Sequence, residues 1–466
     1  MPLKEIDMML KSKSLFSALT AISLTLMNFS WIPVAAASCN GALRIAYQGP
    51  LTGPEAALGE YELSGVKFAL RKSGLTNVQI LEVDDQGDPA VAVKVAPGVA
   101  ANECVIGLVG PAYSGASRVS LPLYYTSRLP IITPSATNPT LFEYGKDIFH
   151  RAVLLDDFQG PAVAQLINAQ VPNPRVYVIG DSSDYSNGLK RSVEFSLGSK
   201  VVGKEDITFE SRNYTEVIDR VLSSGANTLY FSGYFSQGAQ ILRSLRLQNS
   251  SVKFVGSDGS VVPDFIQLAG AKNAEGALFT SPAIPFEIAD PELAIEFRRV
   301  MRMEPGVYAA ESYDAAMFFF EGIQRGNTSR LQLLNYINTG SYKGITKTLK
   351  FDARGELLGT DVHTLVVKGG EFIRVSDLLT VQEPVKPTQQ TAVPKPATEE
   401  KTPIVISGSA SGGTTPARPT DVPAQTSVSS SKVSVKAKTI QCVKGKSIKK
   451  VTGVSPKCPK GYKLKS

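Results

Sequence analysis

Apolar residues along this chain recur in two alternating rhythms. Between residues 41 and 135, short β-branched runs at 43–47, 78–83, 105–109 and 130–133 have the length and composition of buried strands. Between them, residues 56–73 (closed by Gly74), 90–101 and 114–126 carry apolar positions at helical spacing. This cadence predicts βαβ units and a parallel sheet in the doubly wound order 2-1-3-4. A second α/β series starts near Asp156, with strands at 175–179, 201–207, 228–231 and 253–256. Its helices fall near 159–170, 185–197, 214–224 and 236–247. Residues 291–340 return to helical spacing, and 345–375 hold short strands, one of them at 362–367. The fold class is therefore α/β, with two doubly wound lobes between which the chain crosses several times. The expected division gives one lobe residues 39–153 and 282–358 and the other residues 154–281 and 359–378.

The two ends of the chain read differently. Lys11 and Lys13 precede an apolar run over residues 15–34 that ends at Ala35-Ala36-Ala37, which predicts an export signal over residues 1–37. A membrane anchor is the alternative that the length of the run allows, but Asn28, Ser30 and Pro33 interrupt it. Residues 381–431 turn to Pro, Thr, Ser, Gln and Ala, the composition of an extended, solvated linker. Residues 432–466 hold eleven lysines and no acid, with Cys442 and Cys458 as a natural staple for so short a segment. This tail accounts for the net charge of +7, leaving residues 38–380 at about −5. A mildly acidic body gives no reason to expect a nucleic-acid partner.

Cys39 and Cys104 stand just before the first and third strands, which are neighbours in the expected order and start at the same end of the sheet. That placement predicts a Cys39–Cys104 disulfide in an oxidising compartment. A lipid on Cys39 is the alternative, although Ala36 stands where the usual lipidation motif has leucine.

A search for catalytic chemistry finds no Gly-x-Ser-x-Gly elbow, no His-Glu-x-x-His, no phosphate-binding Gly-x-x-x-x-Gly-Lys-Ser/Thr loop and no Gly-x-Gly-x-x-Gly. The two histidines, His150 and His363, lie in strand-like runs and read as structural. The adjacent acids Asp84-Asp85 and Asp156-Asp157 diverge along the backbone and suit capping better than shared-proton chemistry. No enzyme activity, metal or cofactor is expected. Attention passes to the loops at the carboxyl ends of the strands, where open α/β sheets bind ligands. Ser114 is placed to cap the third helix, turning the amides of Gly115 and Ala116 outward toward a carboxylate, or to act as a plain cap. Thr133-Pro134-Ser135-Ala136-Thr137-Asn138-Pro139 makes a rigid polar rim. In the second series, strands end at Ser232-Gly233-Tyr234 and at Ser257-Asp258-Gly259, an aromatic and an acid that can hold an ammonium group. Together these loops describe a cleft for a zwitterion.

Four stretches then resemble a known family: Gln48-Gly49-Pro50-Leu51-Thr52-Gly53, Val105-Ile106-Gly107-Leu108-Val109-Gly110-Pro111, the Ile132–Pro139 rim and Phe231-Ser232-Gly233-Tyr234. They are similar to the leucine/isoleucine/valine-binding proteins, the extracellular solute-binding components of ABC importers. Asp157-Phe158-Gln159-Gly160-Pro161, Ile241-Leu242-Arg243 and Ala274-Glu275-Gly276 before Thr280-Ser281-Pro282 continue the likeness, which spans residues 41–375. The resemblance implies a type I periplasmic-binding fold, two lobes joined by three crossovers and closing on the ligand. It implies capture of an amino acid, branched-chain or similar, and delivery to the membrane subunits of an importer. A sensory receptor module without transport is the alternative; an amidase or peptidase on this scaffold would lack a nucleophile–base pair. Residue by residue, Ser114, Ser135, Ala136 and Thr137 match positions that hold the ligand's carboxylate and part of its ammonium. Tyr234 matches the aromatic near the ligand backbone, and Asp258 the acid that pairs with the ammonium, where relatives often carry Glu. Tyr185 matches a Tyr-Gly-x-Gly loop in which Ser186 replaces the first glycine. Leu58 falls near the side-chain pocket. The segment from Cys442 to Lys463 resembles a short basic tail of exported actinobacterial proteins, which implies retention in the cell envelope. Its lysines suit anionic wall polymers or lipid headgroups, or a solvated tail without a partner.

Overall fold

The computed structural model describes residues 39, 42–208, 213–248, 250–357, 361–376, 438–444, 447–453 and 463–464. The expected export signal, the 381–431 linker and Cys458 with its pairing to Cys442 lie outside the described residues.

Five parallel strands make the first sheet: β1 (Leu43–Gly49), β2 (Val78–Asp84), β3 (Val105–Val109), β4 (Ile131–Thr133) and β5 (Phe149–Arg151). Their order is β2-β1-β3-β4-β5, the doubly wound order expected, extended by one strand. Helices α1 (Ala56–Ser73), α2 (Pro89–Ala101), α3 (Ser114–Thr126) and α4 (Phe142–Gly145) alternate with the strands. Local chemistry fixes their ends. Helix α1 stops at Gly74, whose φ of 69° costs a glycine nothing, and α2 starts where the Asp88 carboxylate accepts the Ala90 amide at 2.7 Å. Apolar clusters cover both faces of this sheet, as expected when every strand is parallel.

The second sheet is built from β6 (Val176–Gly180), β7 (Val201–Asp206), β8 (Thr228–Ser232), β9 (Lys253–Gly256) and β10 (Leu278–Ser281). Its helices are α5 (Asp156–Gln170), α6 (Asp184–Leu197), α7 (Thr215–Ser223), α8 (Phe235–Leu247), α9 (Pro263–Ala269) and α10 (Ala271–Ala274). The chain then returns to the first sheet through α11 (Phe286–Ala289), α12 (Pro291–Met301), α13 (Ala309–Gln324) and α14 (Arg330–Thr339). A small hairpin of β11 (Tyr342–Lys343) and β12 (Thr348–Leu349) follows. Finally β13 (His363–Lys368) and β14 (Glu371–Arg374) rejoin the second sheet, where β13 runs antiparallel to β10. The full order is β14-β13-β10-β9-β8-β6-β7. Each sheet with its helices makes a lobe, and the chain passes between them after β5, after β10 and before β13.

Packing shows why the returning helices belong to the first lobe. Helix α13 lies along α1 so closely that a Cβ on Gly65 would sit 2.2 Å from the Ala309 carbonyl oxygen, a contact only glycine permits. Phe68 on α1 meets Phe297, Phe286 and Tyr313 with ring centroids 5.1–6.3 Å apart. In the second lobe Phe254, Phe265 and Phe279 form a similar group under Phe372.

Cys39 and Cys104 are bonded, with Cα atoms 5.4 Å apart beside the first residues of β1 and β3. Closing a loop of 65 residues restrains the unfolded chain by an amount on the order of 4 kcal/mol. One sulfur cannot carry both this bond and a lipid thioether. His150 is a packing residue: it is buried in β5, with Nδ1 3.0 Å from the Ile131 carbonyl and Nε2 2.6 Å from the Asn338 amide oxygen. His363 opens β13 opposite Ser281.

Residues 386–466 form a separate unit. Its described part is a three-stranded antiparallel sheet, β15 (Lys438–Lys444) between β16 (Ser447–Gly453) and β17 (Lys463–Leu464).

Candidate functional site

The carboxyl ends of β3, β4, β8 and β9 point toward the space between the lobes, and a small cavity lies there. Leu58, Glu62, Ala112, Tyr113, Ser114 and Ser135 line it from the first lobe. Tyr185, Tyr234, Asp258 and Gly259 line it from the second, and Tyr308 from the returning crossover. Five of the residues singled out in the sequence thus share one cavity: Ser114, Ser135, Tyr185, Tyr234 and Asp258. Leu58 joins them on the wall.

Asp258 is the electrostatic centre. It begins a short helical turn directly after β9 and is 2 % exposed. Its Oδ1 accepts the Tyr185 hydroxyl at 2.6 Å and the Gln159 amide at 2.7 Å, and its Oδ2 accepts the Tyr308 hydroxyl. Burial pushes its carboxyl pKa up, against the pull of these three hydrogen bonds. Among the described residues no cationic side chain pairs with it, and its hydrogen-bond partners are neutral donors. The tyrosines and the glutamine reach in to meet the arm of an aspartate, one methylene shorter than glutamate.

Tyr185 is held in place from below. Ser183 caps α6 by accepting the Ser186 amide at 3.0 Å. The Ser186 hydroxyl, where the family loop has glycine, donates to the Ser232 carbonyl at 2.6 Å and fastens α6 to β8. The substitution therefore leaves Tyr185 in the cavity wall.

On the facing lobe, Ser114 does not cap α3. The cap position is Tyr113, in extended backbone, and Ser114 is the first helical residue. Its hydroxyl turns toward the Asn138 amide at 3.4 Å, since the rim after β4 packs against this helix start and supplies the donor. Ser135 donates to the Ala112 carbonyl at 2.8 Å, joining the two loops. Ala136 and Thr137 sit behind the cavity rather than on its wall. The Ala136 amide donates to the Thr133 hydroxyl at 3.1 Å, and the Ala136 carbonyl accepts the Arg151 guanidinium at 2.7 Å. The Thr137 carbonyl accepts the Asp156 amide at 3.1 Å where α5 begins.

The lobes meet around the cavity. Arg118 on α3 pairs with Asp184 on α6 at 2.8 Å, and the Asn138 side chain donates to the Asp184 carbonyl at 2.6 Å. Ser236 donates to Glu55 from the opposite lobe. Tyr113 and Tyr234 stack face to face with centroids 4.2 Å apart. Two further carboxyls are buried nearby: burial pushes Glu55 and Glu62 up to about 8 each, against hydroxyl hydrogen bonds from Ser236 in the first case and from Ser135 and Tyr47 in the second.

Sequence reasoning missed four of these residues. Glu62 had a signal, an acid on the apolar face of α1, four residues from Leu58 and four from Val66. Tyr113 lies inside a loop already marked, but its reach across the cleft is tertiary. Gln159 lies inside a stretch already marked, but its contact with Asp258 is tertiary, and Tyr308 had no local signal.

The comparisons with known proteins agree with this architecture. The sequence pattern of the periplasmic binding proteins matches residues 42–371. The Leu/Ile/Val-binding protein of Citrobacter freundii is 27% identical over 362 residues, 76% of this chain and 95% of the relative. A leucine-, isoleucine-, valine-, threonine- and alanine-binding protein of Pseudomonas aeruginosa is 27% identical over 331 residues, 68% of this chain and 88% of the relative. Among solved structures, a leucine-binding protein of Thermotoga maritima superposes with a TM-score of 0.65 at 23% identity, over 72% of this chain and 97% of the other. A branched-chain amino acid transporter substrate-binding protein of Streptococcus pneumoniae, in complex with isoleucine, gives 0.65 at 22% identity, over 72% and 99%. With its two sheets, three crossings and a sequence match running from β1 into β14, this chain belongs to the periplasmic binding protein family.

Proposed function

We propose that the chain captures one free α-amino acid as a zwitterion between its lobes and delivers it to the membrane subunits of an ABC importer. The observation that carries this is Asp258, a buried carboxyl with three neutral donors and, among the described residues, no cationic partner, facing the helix start and hydroxyls of the other lobe. The ligand's ammonium takes the place of the missing cation, with Tyr185 and Tyr308 beside it. Its carboxylate meets the Ser114 hydroxyl and the amides of the first turn of α3, while Ser135, Ala136 and Thr137 hold the rim in position. A ligand that contacts both lobes favours their approach, which is how binding becomes a change of shape that a membrane partner can read. The named specificities of the relatives, from leucine to alanine, support an aliphatic amino acid.

The test is a thermal-shift series on the exported protein with aliphatic α-amino acids, each beside its amide and its deaminated acid. A ligand at a hundred times its Kd stabilises by about 2.7 kcal/mol, a readable shift. The zwitterions are expected to shift Tm, and the analogues lacking one charge are not. Silence across all α-amino acids would end this reading.

For location, we propose that the protein is exported and held at the cell envelope by the eleven lysines after residue 431 binding an anionic polymer. Cell-wall fragments are expected to retain the full chain at low salt and release it near 1 M NaCl, where the screening length falls to about 3 Å. Equal retention of a chain ending at residue 431 would refute the tail's part.

A further inference from the structure

The cavity between the lobes measures about 20 Å³, room for about one water molecule, so every amino acid enters only as the lobes part, and volume does not choose among them. The chemistry of the walls does. In the amino-acid reading, which this inference rests on and refines, Asp258 takes the ammonium and Ser114 with the first turn of α3 the carboxylate. What the first lobe then offers a side chain is Leu58, Ala112, Tyr113 and Glu62. Leu58 and Glu62 stand four residues apart on α1 and share one face of it.

Two of these four groups bring polar atoms to the wall. Glu62 is 1 % exposed and accepts the Tyr47 hydroxyl at a long 3.3 Å, which leaves its carboxyl with acceptor capacity to spare. The Tyr113 hydroxyl, on a residue 6 % exposed, has no hydrogen-bond partner. Burial first, and then the nearby Glu55 carboxyl, pushes its pKa up, so it stays a neutral phenol with a proton to give. Stacking on Tyr234, with centroids at 4.2 Å, fixes the ring. A donor without an acceptor and a carboxyl with room for a donor, on one wall, match a hydroxyl, the group that donates and accepts at once. We propose that Glu62 and Tyr113 form a hydroxyl subsite, and that the ligand is an aliphatic α-amino acid with a hydroxyl on its β- or γ-carbon. The ligand hydroxyl donates to Glu62 and accepts from Tyr113. An apolar side chain of the same shape leaves the phenol buried without a partner and sets a methyl group against the carboxyl.

Titration calorimetry of the full chain with two near-isosteric pairs, threonine beside valine and homoserine beside norvaline, tests this with size held constant. A site built to hydrogen-bond a hydroxyl rejects the analogue that lacks it, so wild type is expected to bind the hydroxylated member of at least one pair roughly tenfold or more tightly than its partner. Glu62→Leu is expected to abolish that ratio, with the apolar member bound as well or better. Tyr113→Phe keeps the ring, lowers the ratio and lets the apolar member gain, since no phenol is then stranded. Glu62→Gln retains an acceptor and the preference, and provides a second variant should the leucine form fold poorly. A purely structural role for Glu62 would weaken both members alike and leave the ratio untouched. Equal affinity within both pairs, binding of leucine but of neither hydroxylated ligand, or an unchanged ratio in both Glu62→Leu and Tyr113→Phe would overturn the proposal and leave the amino-acid reading standing. No response to any α-amino acid removes both.

Discussion

Asp258→Asn is expected to weaken amino-acid binding by roughly 10²–10³-fold with the fold intact, since losing one partner of a buried charge pair costs about 2–5 kcal/mol. The expectation follows from what surrounds the carboxyl. Tyr185, Tyr308 and Gln159 each donate to it, yet burial still pushes its pKa up, so neutral donors alone do not fully compensate the charge. An arriving ammonium supplies the balance in a place sealed from water, where a charge pair is least screened. Asparagine keeps the shape and an acceptor oxygen for Tyr185 and Gln159, and its amide can donate to Tyr308. Tyr185 and Gln159 keep their acceptor while the charge is lost, and only the Tyr308 hydroxyl must turn from donor to acceptor. Alanine would strand all three, adding about 1–3 kcal/mol of instability for each buried group left unpaired. The asparagine variant is therefore the cleaner probe, read by titration calorimetry beside far-UV circular dichroism of the same sample. An affinity within twofold of wild type would show that the ammonium sits elsewhere.

How much of this is legible in the sequence depends on whether a signal is local. The alternation that marks β1, β2 and β3 is written in consecutive residues, and so is the stop at Gly74. The Cys39–Cys104 bond is legible one level up, because strand order alone puts the starts of β1 and β3 side by side. Strands β5 and β10 are only three and four residues long, too short for any period to show, and they appear only once a neighbouring strand supplies the hydrogen bonds. Helix α3 spans 114–126 as expected, but Ser114 is its first residue and not its cap: serine is a good cap in isolation, whereas here its hydroxyl accepts the Asn138 amide. Asp258 and Tyr234 could be found because strand ends are where such sheets present ligand groups. Tyr308 reaches Asp258 across 50 residues from a backbone in the left-handed region (φ 64°), which no window of sequence contains; Gln159 stands in a stretch that carries the family likeness, but its reach to Asp258 across 99 residues is tertiary.

The second large effect concerns a residue that touches no ligand. Arg151→Met is expected to lower stability by about 3–5 kcal/mol, the cost of removing one partner of a buried ion pair. Arg151 ends β5 fully buried, donates to Glu356 at 2.8 Å, and with its other arm holds the Ala136 carbonyl at 2.7 Å. It thereby ties the rim after β4, which carries Ser135, to the stretch leading into the last crossing between the lobes. Methionine fills much of the volume but leaves the Glu356 carboxylate buried without its counter-charge and the Ala136 carbonyl without its donor. Replacing both residues, Arg151→Met with Glu356→Leu, removes the stranded charge and is expected to recover much of the loss, as well-packed apolar pairs commonly do. Affinity should not recover with it, because the rim still lacks the arginine that holds it. Urea unfolding of the single and double variants measures the first effect, and amino-acid titration of the double variant the second. Full recovery of both in the double variant would mean that Arg151 serves the core alone and that the rim holds its shape without it.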